Sequence, residues 1–310
     1  MASARRLGLG ELLGAGTRAV SRYTGTVLAV FVVQSIVATA CMLAVALVLA
    51  QAFSHLPMFD EAVDGSLVAA VWCVRYGRPS FVAIGCILFG AVLLWELASW
   101  FLVGGLCGIL AQRPEDRAET ARCFGASGAA TYLKYARLAL CSLPGYALVL
   151  FAFGTGMSLV APRLEYALTL PQLFGPLVLA ALPSLLLLHL VWTVSDYARV
   201  ELSLRHETHD PGVLRAYLGA IGYVLRRPLT LVHAGLGWIL FLLVTAAYAY
   251  LAQGHPMYGA EGAITLFFVR QGVALLRMAI KVGILAGQVE LGRTRPLPPR
   301  RAETKPSAAS

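Results

Sequence analysis

Four polar side chains in the last apolar stretch of this 310-residue chain are the ones best placed to do chemistry. Arg270, Arg277, Lys281 and Gln288 fall at i, i+7, i+11 and i+18, which at 3.6 residues per turn puts them within about 20° of one line on a helix. The stripe spans about 27 Å, close to the hydrocarbon thickness of a bilayer. An ion at that depth costs about 3 kcal/mol on the insertion scale, so each must face protein, water or a charge of opposite sign. Groups able to meet the stripe lie in earlier apolar stretches: Glu96, and His189 with Asp196 seven residues on, followed by Arg199.

Three kinds of chemistry fit these residue types. Paired ions, with Glu96 neutralising Arg277 or Lys281 and Asp196 binding Arg199, would only fix helix register. Three cations facing fewer acids would leave a net-positive cavity for an anionic lipid or solute. A series of Glu96, His189 and Asp196 could relay protons, since an unperturbed histidine titrates near pH 6.5.

The elements that must carry these residues are long helices. Of the chain, 58% is hydrophobic and 13% charged, against about 25% charged in a soluble domain. Crossing a bilayer takes about 20 apolar residues per helix. Six such runs occur: Val27 to Ala50, Phe81 to Leu110, Leu138 to Ala161, Pro176 to Ser195, Leu229 to Ala252 and Ala263 to Val289. Their apolar positions are consecutive, without the alternation of a membrane barrel strand, so the expected fold class is all-α, a polytopic membrane protein. The first run is long enough to span and is expected to be kept as a helix rather than cleaved.

Lysine and arginine set the orientation. Arg5, Arg6, Arg18 and Arg22 precede the first run; Arg113, Arg117, Arg122, Lys134 and Arg137 fill the second loop. Arg199, Arg205, Arg215, Arg226 and Arg227 fill the fourth, and Arg293, Arg295, Arg300, Arg301 and Lys305 follow the last run. Only Arg75, Arg78 and Arg163 lie in the loops of the other side. Both termini are therefore expected in the cytoplasm of a cell (inner) membrane, and the net charge of +9 reflects topology and anionic lipid rather than a nucleic-acid partner.

Three units recur, at about 9–111, 121–205 and 212–292, each an amphipathic lead, a span, an outer loop and a returning span. The leads LGELLGAGTRAVSRYTG, ARCFGASGAATYLKYAR and GVLRAYLGAIGYVLRRP suit interfacial helices, which would make three hairpins each preceded by one. Residues 1–292 read as a single six-helix domain, and 293–310 as a disordered cytoplasmic tail rich in proline and arginine. The first outer loop, Gln51 to Pro79, is the longest and the expected external recognition surface, with Trp72 at headgroup depth. Gly104 to Gly108 and Gly283 to Gly287 are GxxxG spacings that let helices approach closely.

The three hairpins with amphipathic leads, together with SDYARVEL from Ser195 to Leu202, resemble bacterial six-span domains similar to the membrane region attached to some glycerophosphodiester phosphodiesterases. The resemblance implies the architecture alone, because the phosphodiesterase catalytic domain has no counterpart in this sequence. No phosphate loop, HExxH or GxSxG elbow occurs, and the six cysteines have no CxxC spacing. The expectation is a non-enzymatic membrane protein without cofactor or metal, an accessory or scaffold with an anionic lipid-binding seam. Its partners would be membrane lipids and a membrane or cytoplasmic protein. The competing expectation is a small transporter or channel for an anionic solute or lipid, which needs the stripe to line a water path.

Overall fold

The ends of the helices follow from a few residues. In a computed structural model, residues 8–53, 58, 61, 66, 69, 72–73, 76–164, 170–204, 212–253 and 260–294 are described, and among them every regular element is a helix. Helix α1, Leu9–Arg22, starts where Glu11 Oε2 accepts from the Gly8 amide at 3.1 Å, and it ends at Tyr23, outside the helical φ/ψ range. Helix α2, Thr24–Phe53, follows at once. Helix α3, Arg78–Gln112, is stopped by Arg113, whose φ of 57° is left-handed, and by Pro114 after it.

Asp116 then caps α4, Arg117–Leu164, accepting from the Ala118 amide at 3.2 Å. Helix α5 is Leu170–Leu204 and α6 is Val213–Leu225. Helix α7, Pro228–Gln253, opens on a proline at its first position, where the missing N–H costs nothing. Helix α8 is Ala260–Thr294. Six of these, α2, α3, α4, α5, α7 and α8, are long and apolar enough to cross a membrane, which makes the chain a multi-pass membrane protein.

Two differences from the expected elements have plain causes. The second lead is not a separate helix: α4 runs unbroken from Arg117 through it into the span, because its small residues include no breaker before Pro144. The last span continues to Thr294, so Arg293 and Thr294 are helical; residues 295–310 lie outside the described residues, as does most of the first outer loop. In that loop the described Trp72 and Tyr76 rings stack at 4.4 Å.

The chain forms two compact units, one of residues 1–24 and 101–310, the other of 25–100. In the larger unit the buried side chains gather toward one end of the helices. Leu106 to Leu110, Tyr135, Leu138, Val194 to Leu202, Ala216 to Val224 and Met278 to Leu291 supply most of them. The arginines meet at that same end. Arg22 donates to the carbonyls of Arg113 and Pro114 (3.1 and 3.0 Å), and Arg113 pairs with Glu290. The Tyr135 hydroxyl, fully buried, donates to the Arg199 carbonyl at 3.0 Å and lies 2.7 Å from the Ser203 hydroxyl. At the opposite end of this unit α4, α5, α7 and α8 carry exposed leucines and phenylalanines such as Leu150, Phe151, Leu179, Leu243 and Phe268, the surface expected against lipid tails. In the smaller unit Ile36 and Leu43 of α2 and Phe89 of α3 are exposed in the same way.

Candidate functional site

The contacts between α7 and α8 run in antiparallel order and place polar groups along one seam. Near its open end, Arg277 donates to the Thr245 hydroxyl, and its guanidinium lies over the Phe241 ring at 4.4 Å. Next comes an apolar contact: a Cβ on Gly237 would sit 2.7 Å from the Ile284 side chain, so Ile284 fills the space that the missing side chain leaves. Deeper in the packed half, the His233 ring lies against Gly287; a Cβ there would be 2.6 Å from both Cε1 and Nε2. His233 is fully buried and Gln288 is 1% exposed.

The seam is short of hydrogen-bond partners. Among the described residues, both ring nitrogens of His233, Nε2 of Gln288 and Nε of Arg277 are buried without one. Polar groups in protein interiors are nearly always satisfied, so this concentration on two helices singles the seam out. Within its own unit, no described carboxylate pairs with Arg277. A hydroxyl and an aromatic face hold its charge instead.

Of the stripe residues, Arg270 and Lys281 are exposed, Arg277 is half-buried and Gln288 is buried. The reason is that α8 changes surroundings along its length. The face that is open at Lys281 is covered beyond Leu285 by α5, whose Val200 and Leu204 reach Gly292. His189 of α5 is half-buried with Nε2 3.2 Å from the Leu231 carbonyl of α7. Arg199 donates to Asp196 at 3.2 Å one turn earlier on α5. Glu96 is exposed in the smaller unit, where its carbonyl accepts from the Ser99 hydroxyl at 2.9 Å. Thus the structure brings Asp196 and Arg199 together, and it sets His189 against α7 rather than against Asp196.

Three contributors escaped the sequence reading. His233 is the one histidine in the fifth apolar run, which has no Asp, Glu, Lys or Arg, and that was signal enough. Thr245 and Phe241 had no such mark, because their role appears only once the register of α7 against α8 is known. The segment Ser195 to Leu202 is the most deeply buried part of α5, with Tyr197, Ala198, Val200 and Leu202 at or below 1% exposure and the Tyr197 ring 5.3 Å from that of Tyr223.

An open groove of about 460 Å³ lies where α3 ends and α4 begins, lined by Gln112, Asp116, Glu119, Arg122, Cys123 and Ala126. Its polar groups have local work: Asp116 caps α4, and the Cys123 thiol donates to Gln112 Oε1 at 3.0 Å. Among the described residues no three histidine, cysteine or acidic side chains gather as a metal site requires.

The fold and the seam define an all-helical, multi-pass membrane protein with a polar line between its last two long helices. Compared with models of known protein families, with curated proteins and with solved structures, the chain matches none.

Proposed function

We propose that this chain is a membrane-embedded accessory or scaffold protein of the cell membrane, with both termini cytoplasmic, whose α7–α8 seam holds the headgroup of an anionic lipid. The observation that carries the reading is Arg277: a guanidinium in a spanning helix, placed by a hydroxyl and a phenyl ring, with one N–H unused and no described carboxylate of its unit beside it. A charge so placed has capacity left for an anion.

Depth favours a lipid headgroup. Helix α7 has 26 residues and is about 39 Å long, so a 30 Å hydrocarbon layer centred on it leaves roughly 4.5 Å beyond each boundary. Thr245 then lies about 9 Å inside the boundary remote from the arginine-rich end, within reach of an arginine that extends toward the headgroups. Arg270, about 10 Å further along α8, lies at headgroup level. Together they make a two-step cationic ladder in one leaflet, which suits a phosphate entering from that leaflet's headgroup layer. The exposed apolar ends of α4, α5, α7 and α8 give the acyl chains a surface beside it.

A transporter or channel for an anionic solute would need the polar line to continue from Arg277 to Gln288. On the α7 side Ile284 packed on Gly237 lies between them, with Lys281 exposed on α8, and this apolar contact favours the accessory reading. Three hairpins with amphipathic leads are part of the same proposal. The α4–α5 contacts, with Gly156 against Ala180 and Gly145 against Val191, support the second, and the α7–α8 contacts the third.

Retention of lipid by the purified protein, measured by native mass spectrometry after release from mixed phosphatidylglycerol and phosphatidylcholine micelles, tests the proposal. Selective retention of phosphatidylglycerol that is lost in Arg277→Met and weakened in Arg270→Gln is expected. Equal retention of the two lipids by the wild type would overturn the headgroup site.

A further inference from the structure

His233 points to a moving part that the lipid site does not use. Helix α1 lies across α8 at two glycines of a GxxxG pair: a Cβ on Gly16 would be 2.6 Å from the Gly283 carbonyl oxygen, and a Cβ on Gly287 would be 3.2 Å from the Leu12 carbonyl oxygen. The hypothetical Gly287 Cβ would meet the His233 ring as well, so α1, α7 and α8 converge where Leu12 and His233 are both fully buried. With α1 seated there, neither ring nitrogen of His233 has a hydrogen-bond partner among the described residues, nor does the amide nitrogen of Gln288, next to Gly287. A buried polar group left unpaired opposes the arrangement that buries it. Close packing alone gives no reason for an imidazole here, since an apolar side chain of similar size would fit without that penalty.

We infer that α1 is a displaceable cover: it seats on the Gly283–Gly287 face of α8, and the unpaired His233 beneath it biases it toward lifting and admitting water. The remaining connections of α1 fit such a role. It joins α2 through the single non-helical residue Tyr23, and the chain passes into the other compact unit directly after Thr24. A further attachment, Arg22 on the Arg113 and Pro114 carbonyls, sits at the end next to that joint, where a pivot of the helix need not release it. Seated and lifted states thus differ in the hydration of His233 and Gln288 and in the exposure of Leu12, with the rest of the bundle left in place.

Hydrogen exchange of the full-length protein in phosphatidylcholine nanodiscs, read on peptides covering 9–22, tests the cover. Replacing His233 with leucine removes the unpaired group, so exchange of 9–22 should slow about tenfold while peptides of α5 and α6 keep their wild-type rates. Unchanged or faster exchange of 9–22 overturns the inference, because the imidazole would then be neutral or would hold α1 down through a bound water. Should His233→Leu fail to fold, Gly16→Ala serves instead, since its Cβ meets backbone at Gly283 and must push α1 away. Its 9–22 peptides should exchange faster and His233 should become reactive toward diethylpyrocarbonate. Faster exchange with an unreactive His233 would place the histidine beneath something other than α1, and the cover would fall.

Discussion

Replacing Arg277 with methionine separates a binding role from a structural one, because the structure fixes what the arginine gains and loses. A guanidinium at helix centre costs about 2.5–3.5 kcal/mol on the insertion scale. Against that stand a charge-assisted hydrogen bond to Thr245, about 1.5–3 kcal/mol, and the Phe241 face at 4.4 Å, about 0.5–2 kcal/mol. The gains, about 2–5 kcal/mol together, straddle the cost, so the arginine adds little net stability. Methionine keeps the packing of the stem and needs neither partner. Unfolding by sodium dodecyl sulfate in bicelles should therefore shift by no more than about 1.5 kcal/mol, while the preference for phosphatidylglycerol disappears. A loss above about 3 kcal/mol would refute the reasoning, since breaking a buried ion pair has that cost and would mean that Arg277 neutralises a carboxylate. An unshifted lipid preference would refute it from the other side.

Three further outcomes follow from the geometry. Gly156→Ala puts a Cβ 2.5 Å from the Ala180 carbonyl, closer than atoms can lie, so α4 and α5 must separate; the expected loss in the same unfolding assay is about 1–3 kcal/mol, whereas Gly154→Ala, with nothing within 4 Å, should be neutral or stabilising. At Arg113, in the left-handed region at φ 57°, glycine and alanine substitutions both remove the Glu290 pair, so the glycine variant should be the more stable by about 1 kcal/mol in a direct comparison of melting. Burial raises the Tyr23 phenol above its ordinary value of 10.0, outweighing the nearby Arg22 and Arg113 charges that lower it. The neutral form is thus the one the fold prefers, and its contribution to stability, whole below pH 10, should be lost as pH rises through the raised value; Tyr23→Phe should flatten thermal unfolding profiles taken between pH 9 and 11.

How far the sequence could be read depended on whether a feature is local. The six spans are a matter of length and consecutive apolar residues, and each apolar run identified in the sequence falls within one of the long helices. Pro228 marks the start of α7 and Pro114 the end of α3 by the same local chemistry. The continuity of α4 was not legible, because ARCFGASGAATYLKYAR is equally compatible with a short surface helix and with the first turns of a longer one. The stripe on α8 is a real angular coincidence, yet its four residues occupy three environments, since burial depends on where α5 and α7 approach. Gly283 and Gly287 declared a close approach, but the partners, α1 and the edge of an imidazole, come from positions some 270 and 54 residues away, where only tertiary packing could name them.

The position of Arg277 within the larger unit explains why the seam has two characters. Toward the arginine-rich end, helices α1, α5, α7 and α8 are packed, and His233 and Gln288 are buried, with no partner among the described residues for either His233 ring nitrogen or for Gln288 Nε2. Toward the other end α4, α5, α7 and α8 present exposed leucine and phenylalanine, a surface suited to lipid tails. Arg277 stands at the border, beyond the Ile284–Gly237 contact and beside the lipid-facing half. A cation there can be reached from the headgroup layer without opening the bundle, whereas His233 can be reached only if a helix leaves. On the proposed readings the first arrangement suits a site occupied continuously and the second one exposed on demand, and the Ile284–Gly237 contact between them would let the two work separately on one pair of helices.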